Sequence, residues 1–210
     1  MGTVKKVRTR SPDSALVARR RREIVLVSTQ VFIKKGYDRT NVRELSGALG
    51  MTKGGLYHYI GSKDDILYLI LDYISKAQKA TFTRMRCRTK NLNAREALRE
   101  SMRIYMEGVD KLQNFYNFLN HVIVNLEPQE RKTMYVSEGR MVAYFETLLK
   151  DGIQAGEFKI CDPTLTAHNI LMLGNTWANR RWFLGKKYTL GEYTREQTRL
   201  ILQVVSMDGR

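Results

Sequence analysis

Residues 40–63 constrain the fold of this chain most, because they carry two helix starts and one helix stop in a short space. Asn41 followed three residues later by Glu44 has the capping-box spacing, which begins a helix. Gly50 is suited to end that helix, because glycine adopts a left-handed backbone at little cost. Thr52 can then cap a second helix. The stretch therefore predicts two short helices joined by a tight turn.

Apolar side chains recur on the inner faces of both predicted helices and at the corner between them. Small Ser46 lies four residues before Gly50, where two helices that cross at a steep angle need a small side chain. The apolar contacts come from Val42, Leu45, Leu49, Met51 and Leu56. This arrangement is the helix-turn-helix layout, in which the second helix enters the major groove of DNA.

The second helix carries polar side chains that suit contact with DNA. Lys53, Tyr57 and Tyr59 are long donors opposite a narrow apolar face, and they are the main candidates. Gly54 and Gly55 each cost about 1 kcal/mol of helix stability relative to Ala, a cost that a close approach of the backbone to DNA would explain. The alternative is a purely structural hairpin. Secondary candidates for DNA contact are Thr40, Thr52, Gly54, His58 and, for a phosphate, Lys63.

The N-terminal third resembles a known family in order and without gaps. The residues that carry the resemblance are the run from Ile24 through Phe32, Gly36-Tyr37, Thr40, Val42, Leu45, Gly50-Met51, Thr52, Leu56-Tyr57 and Ser62-Lys63. They are similar to the DNA-binding domain of TetR-family transcriptional regulators. The sequence departs from the family pattern at Ser46, where Ala is usual, at Tyr59-Ile60, where His-Phe is common, and at Gly61.

The resemblance implies an all-α fold with two domains. An N-terminal three-helix domain, residues 23–68, would bind DNA as a helix-turn-helix. Residues 69–210 would form a helical domain that binds a small effector, and its last two helices would pair with their copies in a homodimer. Residues 1–22 are predicted to be a basic, flexible arm. The implied partners are a pseudo-palindromic double-stranded DNA operator and a small apolar or amphipathic effector.

The charge of the chain agrees with a polyanionic partner. The formal net charge is +15, and the first 22 residues contribute +7 of it, immediately ahead of the motif. A free, solvated tail explains this arm equally well, and the two interpretations are compatible if the arm becomes ordered on DNA.

Composition predicts a helical protein of the cytoplasm. Three prolines in 210 residues favour helices, and 43% hydrophobic residues suffice for a core. No apolar run approaches the ~18 residues of a membrane span, and the N-terminus lacks the hydrophobic region of a secretory signal. Cys87 and Cys161 are too few for a disulfide framework or a cysteine-rich metal site; a redox role for either stays an open alternative.

Helical periodicity extends along the rest of the chain. A first helix should end at Gly36, a connecting helix should begin after Ser62, and a polar, basic loop is predicted at residues 84–93. Further helices are predicted at residues 94–109, 115–123, 130–154, 163–185 and 194–205. In the resembled family, the connecting helix links effector occupancy to DNA affinity.

The predicted C-terminal domain is rich in large, adaptable side chains. Most of these pack in a core by base rate, but such residues also line apolar pockets between helices. The segment from Gly174 to Phe183, which follows residues 157–172, is similar to the corresponding part of regulators that sense fatty acyl-CoA thioesters. Within it, the cluster from Trp177 to Trp182 also suits a dimer surface. The candidate effector contacts are Tyr105, Phe115, Phe118, Tyr144, Trp177, Arg180 and Arg181.

The sequence gives little support to catalysis, and we predict neither a cofactor nor a metal. It lacks a glycine-rich phosphate loop, a metal-spaced cluster and a nucleophile elbow. His121 and His168 lie beside apolar residues, as satisfied histidines do, and a metal held between them is the alternative.

The resemblance implies a ligand-responsive transcriptional repressor that leaves its palindromic operator when an apolar small-molecule effector, such as a fatty acyl-CoA, binds. Two alternatives to this function stay open at this point. One is an effector-independent DNA-organising or division-control protein, and the other is a helical enzyme or interaction module with an incidental basic tail.

Overall fold

The computed structural model describes residues 7, 9, 13–122, 126 and 128–206, and all side chains in those ranges except those of residues 129, 130 and 133. The regular secondary structure within these residues is helical, apart from one isolated antiparallel bridge between Phe158 and Ser206. The helices are α1 (Ser14–Lys35), α2 (Val42–Ala48), α3 (Lys53–Tyr57), α4 (Lys63–Thr89), α5 (Ala94–Lys111), α6 (Gln113–Val122), α7 (Pro128–Gln154), α8 (Pro163–Leu184) and α9 (Leu190–Val205). The predicted all-α class is confirmed for the described residues.

The chain divides into two compact units. Unit 1 comprises Met1–Lys76 and Asn114–Met134, and unit 2 comprises Ala77–Gln113 and Tyr135–Arg210. Helices α4 and α7 each run through a division between the units. The predicted domain boundary after residue 68 falls inside α4 and stays a prediction.

The core of unit 1 is built from the inner faces of α1 to α4 and from α6. Ile24, Leu45 and Leu56 are fully buried at the centre of the three-helix group. The α6 ring of Phe118 stacks on Phe32 of α1, with 5.5 Å between ring centroids. Within this core, α1 packs against α2, and α2 packs against α3.

The core of unit 2 is organised around α5, which packs against α8 and α9. Phe145 and Trp177 are fully buried there. The Tyr105 hydroxyl donates to the Leu171 carbonyl over 3.1 Å. Gly174 makes room for that ring, because a Cβ atom at Gly174 would lie only 2.7 Å from Tyr105.

The start of α1 corrects one expectation. The helix begins at Ser14, so residues 14–22, which were expected to belong to the flexible arm, form its first turns. Asp13 caps the helix by accepting hydrogen bonds from the amides of Ala15 and Leu16, both at 2.9 Å, and Val17 is buried.

The predicted loop at residues 84–93 is wrong, because α4 continues to Thr89. The segment contains no glycine or proline that would stop a helix, and Met85 is fully buried. Arg86 and Arg88 lie in the last turn, where cations interact favourably with the helix dipole. Only residues 90–93 separate α4 from α5.

The last helix also begins earlier than predicted. It starts at Leu190 rather than at Thr194, because Thr189 and Glu192 form a capping box. The predicted helix at residues 115–123 is observed as α6, and its last predicted residue, Ile123, lies outside the described residues. The sequence Ser11-Pro12, which by its residue types can also cap and start a helix, lies outside them too.

Three further observations concern other classes of site. None of the described helices combines the length and the apolarity needed to cross a membrane. Within the described residues, no group of three or more His, Cys, Asp or Glu side chains is placed to hold a metal ion. Cys87 and Cys161 are exposed free thiols.

Candidate nucleic-acid interface and effector groove

The turn between α2 and α3 has the geometry that its residues predict. The Glu44 amide donates to Asn41 Oδ1 over 3.0 Å, and the Asn41 amide donates to Glu44 Oε2 over 3.1 Å, so both halves of the capping box form. Gly50 has φ +63°, the left-handed conformation that favours glycine. Buried Leu45 and Ser46 then face inward.

Glu44 also joins α2 to α1. Lys35 Nζ lies 2.6 Å from Glu44 Oε1. The hydrogen bond from Lys35, followed by that from the Asn41 amide, holds the pKa of the Glu44 carboxyl below its usual range. The carboxylate is therefore the form that the start of α2 requires.

The recognition helix α3 is short and begins with its predicted cap. Thr52 Oγ1 accepts the Gly55 amide over 3.0 Å. A Cβ atom at Gly55 would lie 3.2 Å from that oxygen, whereas the space around Gly54 is open. The cap thus explains why residue 55 is a glycine. Of the two glycines of α3, Gly54 is the one whose exposed backbone another molecule can approach closely.

The predicted contact side chains cluster around α3. Lys53 lies at its first residue and is exposed, Tyr57 ends the helix half-buried, and exposed His58 and half-buried Tyr59 follow it. These residues share one short segment, so the structure brings the main predicted contacts together.

Two of the secondary candidates face inward. Thr40 is 2% exposed, and its hydroxyl donates to the Gly36 carbonyl over 2.7 Å. Lys63 Nζ donates to the carbonyls of Tyr37 at 3.1 Å and Thr40 at 3.2 Å, and it lies 4.3 Å from the centre of the Tyr37 ring. In this arrangement both side chains position the turn between α1 and α2.

Arg21 is a site residue that the sequence pattern did not reveal. From α1, its Nε donates to the Tyr59 carbonyl over 3.1 Å and its terminal nitrogen donates to the Val7 carbonyl over 2.8 Å. Thr9 Oγ1 donates to the His58 carbonyl over 2.9 Å. The basic arm is thereby joined to the backbone that follows the recognition helix. The sequence signalled only a run of four arginines, of which Arg21 is the one that turns inward.

The predicted effector residues separate into several places. Phe115 and Phe118 lie in unit 1, where they pack against Tyr73 and Phe32. Tyr105 is a buried core residue of unit 2. These three side chains are occupied by aromatic or backbone contacts.

Tyr144 lines a groove of about 760 Å³ within unit 2, formed by α4, α5 and α7. The Tyr144 hydroxyl lies 3.0 Å from Thr89 Oγ1 and 2.8 Å from Ser101 Oγ. Its apolar lining includes Phe82, Leu92, Ala97, Ala143 and Leu148, its cations are Arg86, Lys90 and Arg140, and its carboxylates are Asp151 and Glu157. Glu157 is engaged by the amides of the first two residues of α5. We name this the α4–α7 groove.

Trp177 and Arg181 form a polar cluster with Asp110 of α5. The Trp177 indole donates to Asp110 Oδ1 over 2.8 Å, and Arg181 pairs with the same oxygen. Trp177 is 1% exposed and packs on Tyr193 at 4.9 Å between centroids. The cluster therefore joins α5, α8 and α9. Arg180, its neighbour in sequence, is exposed.

The outer faces of α8 and α9 carry apolar side chains at helical spacing. On α8 these are Leu165, Met172 and Phe183, and on α9 they are Leu200 and Val204. Residues three, four, seven or eleven apart lie on one side of a helix, so each helix presents an apolar stripe to the outside. Such stripes are typical of surfaces that pair with another helix.

A capped two-helix corner with an exposed, polar second helix, on a chain of net charge +15, defines a helix-turn-helix DNA-binding protein. Residues 24–68 match the family of bacterial regulatory proteins called tetR, and residues 91–204 match the tetracyclin repressor-like C-terminal domain. The chain belongs to the tetR family, and it is a DNA-binding transcriptional regulator.

Known regulators are similar to this chain over most of its length. The HTH-type transcriptional regulator HbdR of Aromatoleum sp. (strain CIB) is 23% identical over 204 residues, which are 97% of this chain and 88% of the relative. The structure of the TetR-family regulator PfmR from Thermus thermophilus has a TM-score of 0.74 and 28% identity, over 86% of this chain and 97% of that one. AibR, solved with isovaleryl coenzyme A and operator DNA, has a TM-score of 0.72 and 23% identity, over 86% of this chain and 97% of that one. All three are described as regulators or as bound to operator DNA.

Proposed function

We propose that this protein is a homodimeric repressor that binds a pseudo-palindromic operator and leaves it when an anionic, amphipathic effector enters the α4–α7 groove. The observation that carries the proposal is the recognition helix α3, whose exposed Lys53 and open Gly54 follow a fully formed cap. The protein would act where the DNA is, in the cytoplasm.

The proposed DNA contacts come from the recognition helix and the residues after it. Lys53 reaches a base edge or phosphate from the first turn, and Tyr57 and Tyr59 contact the flanks. Thr52, Gly54 and His58 lie beside them as backbone or phosphate contacts. Thr40 and Lys63 act indirectly, because they hold the corner that orients α2 and α3.

The apolar stripes of α8 and α9 support the homodimer. Leu200 is 47% exposed and Val204 is 69% exposed, and a second copy related by a two-fold axis would cover both. Two recognition helices would then meet successive major grooves about 34 Å apart.

The α4–α7 groove supports an effector with an apolar part and an anionic part. Its volume of about 760 Å³ lies within the range of small-molecule sites. Apolar residues such as Phe82 and Tyr144 would receive an acyl chain, and Arg86, Lys90 and Arg140 would receive phosphates. The complex of AibR with isovaleryl coenzyme A makes an acyl-CoA our first candidate. Because Phe82, Arg86 and Thr89 belong to α4, the effector would act on the helix that begins in unit 1.

The first experiment selects bound sequences from a random duplex pool and titrates the affinity of the winner against salt. A palindromic winner that is bound far above random DNA is expected. Lys53→Ala should weaken that binding by about 1–3 kcal/mol, whereas Lys79→Ala, on an exposed position of α4, should leave it unchanged. Weak, steeply salt-dependent and sequence-blind binding would remove the proposal.

The effector is tested on the selected duplex with acyl-CoA thioesters of different chain lengths. Release of DNA at micromolar thioester is expected for the native protein and should be lost in Arg86→Ala/Arg140→Ala. The matched control Lys159→Ala/Lys186→Ala removes the same charge elsewhere in unit 2 and should respond normally. An undiminished response of the groove variant would place the effector elsewhere. Operator binding that no thioester alters would favour an effector-independent regulator.

A further inference from the structure

A second groove, of about 800 Å³, lies within unit 2 between α5 and α9. We name it the α5–α9 groove. Arg95, Arg99 and Arg103 follow one another at four-residue spacing along α5, and Arg195 and Arg199 do the same along α9. Glu107 is the single carboxylate among its described lining residues. The groove therefore has a strong excess of positive charge that the DNA-binding surface does not use.

The five guanidinium groups differ in how they are held. Arg103 pairs with Glu100 and Glu107 at 2.6 and 2.5 Å. Arg199 pairs with Glu196 at 3.0 Å, and Arg95 donates to Ser206 Oγ over 2.8 Å.

Arg99 and Arg195, one on each helix, form no ion pair with any residue that the structure describes. The Glu192 carboxylate is near enough to Arg195 to interact with it electrostatically, but it accepts hydrogen bonds from the amide and the hydroxyl of Thr189 at the start of α9. One available cation thus remains on each side of the groove.

The groove is not purely polar. Half-buried Leu190 lines it together with Leu202, Thr194 and Thr198, and the last three side chains are buried beneath the groove. An inorganic polyanion would leave this apolar surface uncovered. The lining instead suits a ligand with one apolar face and flanking anionic groups.

The spacing of the arginines indicates a linear ligand. Residues four apart on a helix are separated by about 6 Å along its axis, so the α5 row extends over roughly 12 Å. A single phosphate is bound by cations that converge on one point, whereas these cations form two rows. Two rows flanking an apolar floor match an amphipathic helix, whose carboxylates recur at three- and four-residue spacing on either side of an apolar stripe.

The groove stays open in the proposed homodimer. Successive residues of a helix are about 100° apart around its axis. Leu200 and Val204 are therefore displaced by roughly 100–180° from the groove residues Arg195, Arg199 and Leu202. The stripe that would pair with a second copy thus lies on the other side of α9 from these three residues. Leu190 is only about 40–80° from the stripe around the axis, but it lies roughly 15–21 Å away from Leu200 and Val204 along the helix.

We propose that the α5–α9 groove binds an acidic amphipathic helix of another protein, with the apolar face of that helix on Leu190 and Leu202 and its carboxylates on the two arginine rows. The protein would then recruit a partner while it occupies DNA. This inference does not require an effector and is separable from operator binding.

The test uses the full-length protein and a fluorescent synthetic peptide of about 16 residues, roughly four helical turns, with leucines on one face and glutamates on both flanks. Fluorescence anisotropy should show saturable binding. A peptide of the same composition in scrambled order should bind on the order of tenfold more weakly, because its apolar face is lost. Equal binding of the two peptides would show that charge alone accounts for the binding, and it would overturn the proposal.

The variant Arg99→Glu/Arg195→Glu should lose peptide affinity by on the order of tenfold or more. The matched control Lys159→Glu/Lys186→Glu makes the same charge change outside the groove and should bind the peptide as the native protein does. Arg99→Ala/Arg195→Ala tests the site without introducing carboxylates and should show a smaller loss in the same direction.

Operator affinity and dimer mass are measured on the same preparations, and both should be unchanged in the groove variants. Retained operator binding without peptide binding would overturn this inference alone, whereas loss of sequence-specific DNA binding in the native protein would overturn the proposed function. Inorganic polyphosphate is added as a competitor. If it binds in place of the peptide and more tightly, the site takes a polyanion and the protein partner is wrong.

Discussion

The helix-turn-helix corner and the Trp177 cluster use polar contacts in opposite ways. In the corner, the helix caps join residues close in sequence, as Asn41 does with Glu44 and Thr52 with Gly55, and they leave Lys53 exposed. In the Trp177 cluster, Asp110 contacts Trp177 and Arg181, which are 67 and 71 positions away. The indole of Trp177 is buried in this cluster.

This contrast separates two roles that look alike in a sequence. Short-range caps shape a backbone while leaving side chains free to bind, so the corner suits recognition. Long-range contacts consume the side chains that make them, so Trp177 and Arg181 hold α5, α8 and α9 together. An aromatic residue beside an arginine is consistent with an effector site until its partner across the fold is known.

The largest expected effect is at Trp177. Trp177→Ala should lower the free energy of unfolding by about 3–5 kcal/mol, because it empties a fully buried volume, and urea denaturation measures this loss. Trp182→Ala is the control, since that side chain is 65% exposed and its removal should cost far less. A stable Trp177→Ala protein with a weakened effector response would instead make Trp177 a ligand contact.

Arg21 tests whether any part of the DNA-binding surface depends on a long-range contact. Arg21→Ala removes two hydrogen bonds from a charged donor, and we expect a loss of about 1.5–3 kcal/mol, divided between unfolding and operator affinity. Specific binding should fall more than non-specific binding, because the backbone after α3 is released. Arg22→Ala removes the same charge from an exposed neighbour and should chiefly flatten the salt dependence. Equal effects of the two variants would show that Arg21 contributes charge alone.

Gly50 measures how much of the corner depends on local backbone conformation. Gly50→Ala should destabilise the protein by roughly 1–2 kcal/mol, because a Cβ atom is unfavourable at a left-handed residue, although the space around it is open. Gly47→Ala, three residues earlier and also in open space, should stabilise α2 by up to about 1 kcal/mol. Thermal unfolding of the two variants measures both changes in stability, which should have opposite signs. If both variants were stabilised or both destabilised, the left-handed role assigned to Gly50 would be wrong.

Glu44 should give the smallest effect, and that effect should depend on pH. Its pKa is lowered in the folded protein, so its contribution to stability is present above the pKa of the unfolded state and is lost as the pH falls through the folded pKa. Glu44→Gln should therefore be less stable than the native protein at neutral pH and should approach it below about pH 4. Glu138→Gln, at an exposed position of α7, is the background control. A difference that persists unchanged at low pH would exclude the ionic contribution.

The same contrast explains what the sequence could predict. Asn41 and Thr52 cap helices through contacts three residues away, and Gly50 acts through its own backbone conformation. The corner is therefore predictable from the local sequence. The capping box of Thr189 and Glu192 is equally local, so the start of α9 at Leu190 is predictable from the sequence as well. The extension of α4 is not, because its basic residues resemble a loop and the burial of Met85 depends on the folded chain.

For the candidate effector site, the sequence predicts which types of residue are present but not which of them line a groove. Tyr144 does line a groove, but Phe115 and Phe118 pack in unit 1, and nothing in their spacing distinguishes them from Tyr144. In the sequence, Arg21 does not differ from the three arginines beside it. Its role depends on the contacts with Val7 and Tyr59, which form only in the folded chain. Which side chain stays available is decided by contacts between distant residues, and these are not written in local patterns.

Lys63 has a consequence for how unit 1 opens. Its ammonium group binds two carbonyls of the α1–α2 turn from the first residue of α4, so detachment of either segment breaks both of these part-buried hydrogen bonds. The amides of α2 and of the first turn of α4 should therefore exchange with solvent deuterium in one cooperative event. If the proposed function is correct, we predict that a displacement of α4 would move the recognition helix as a rigid piece, so that release of the operator would not require that helix to melt.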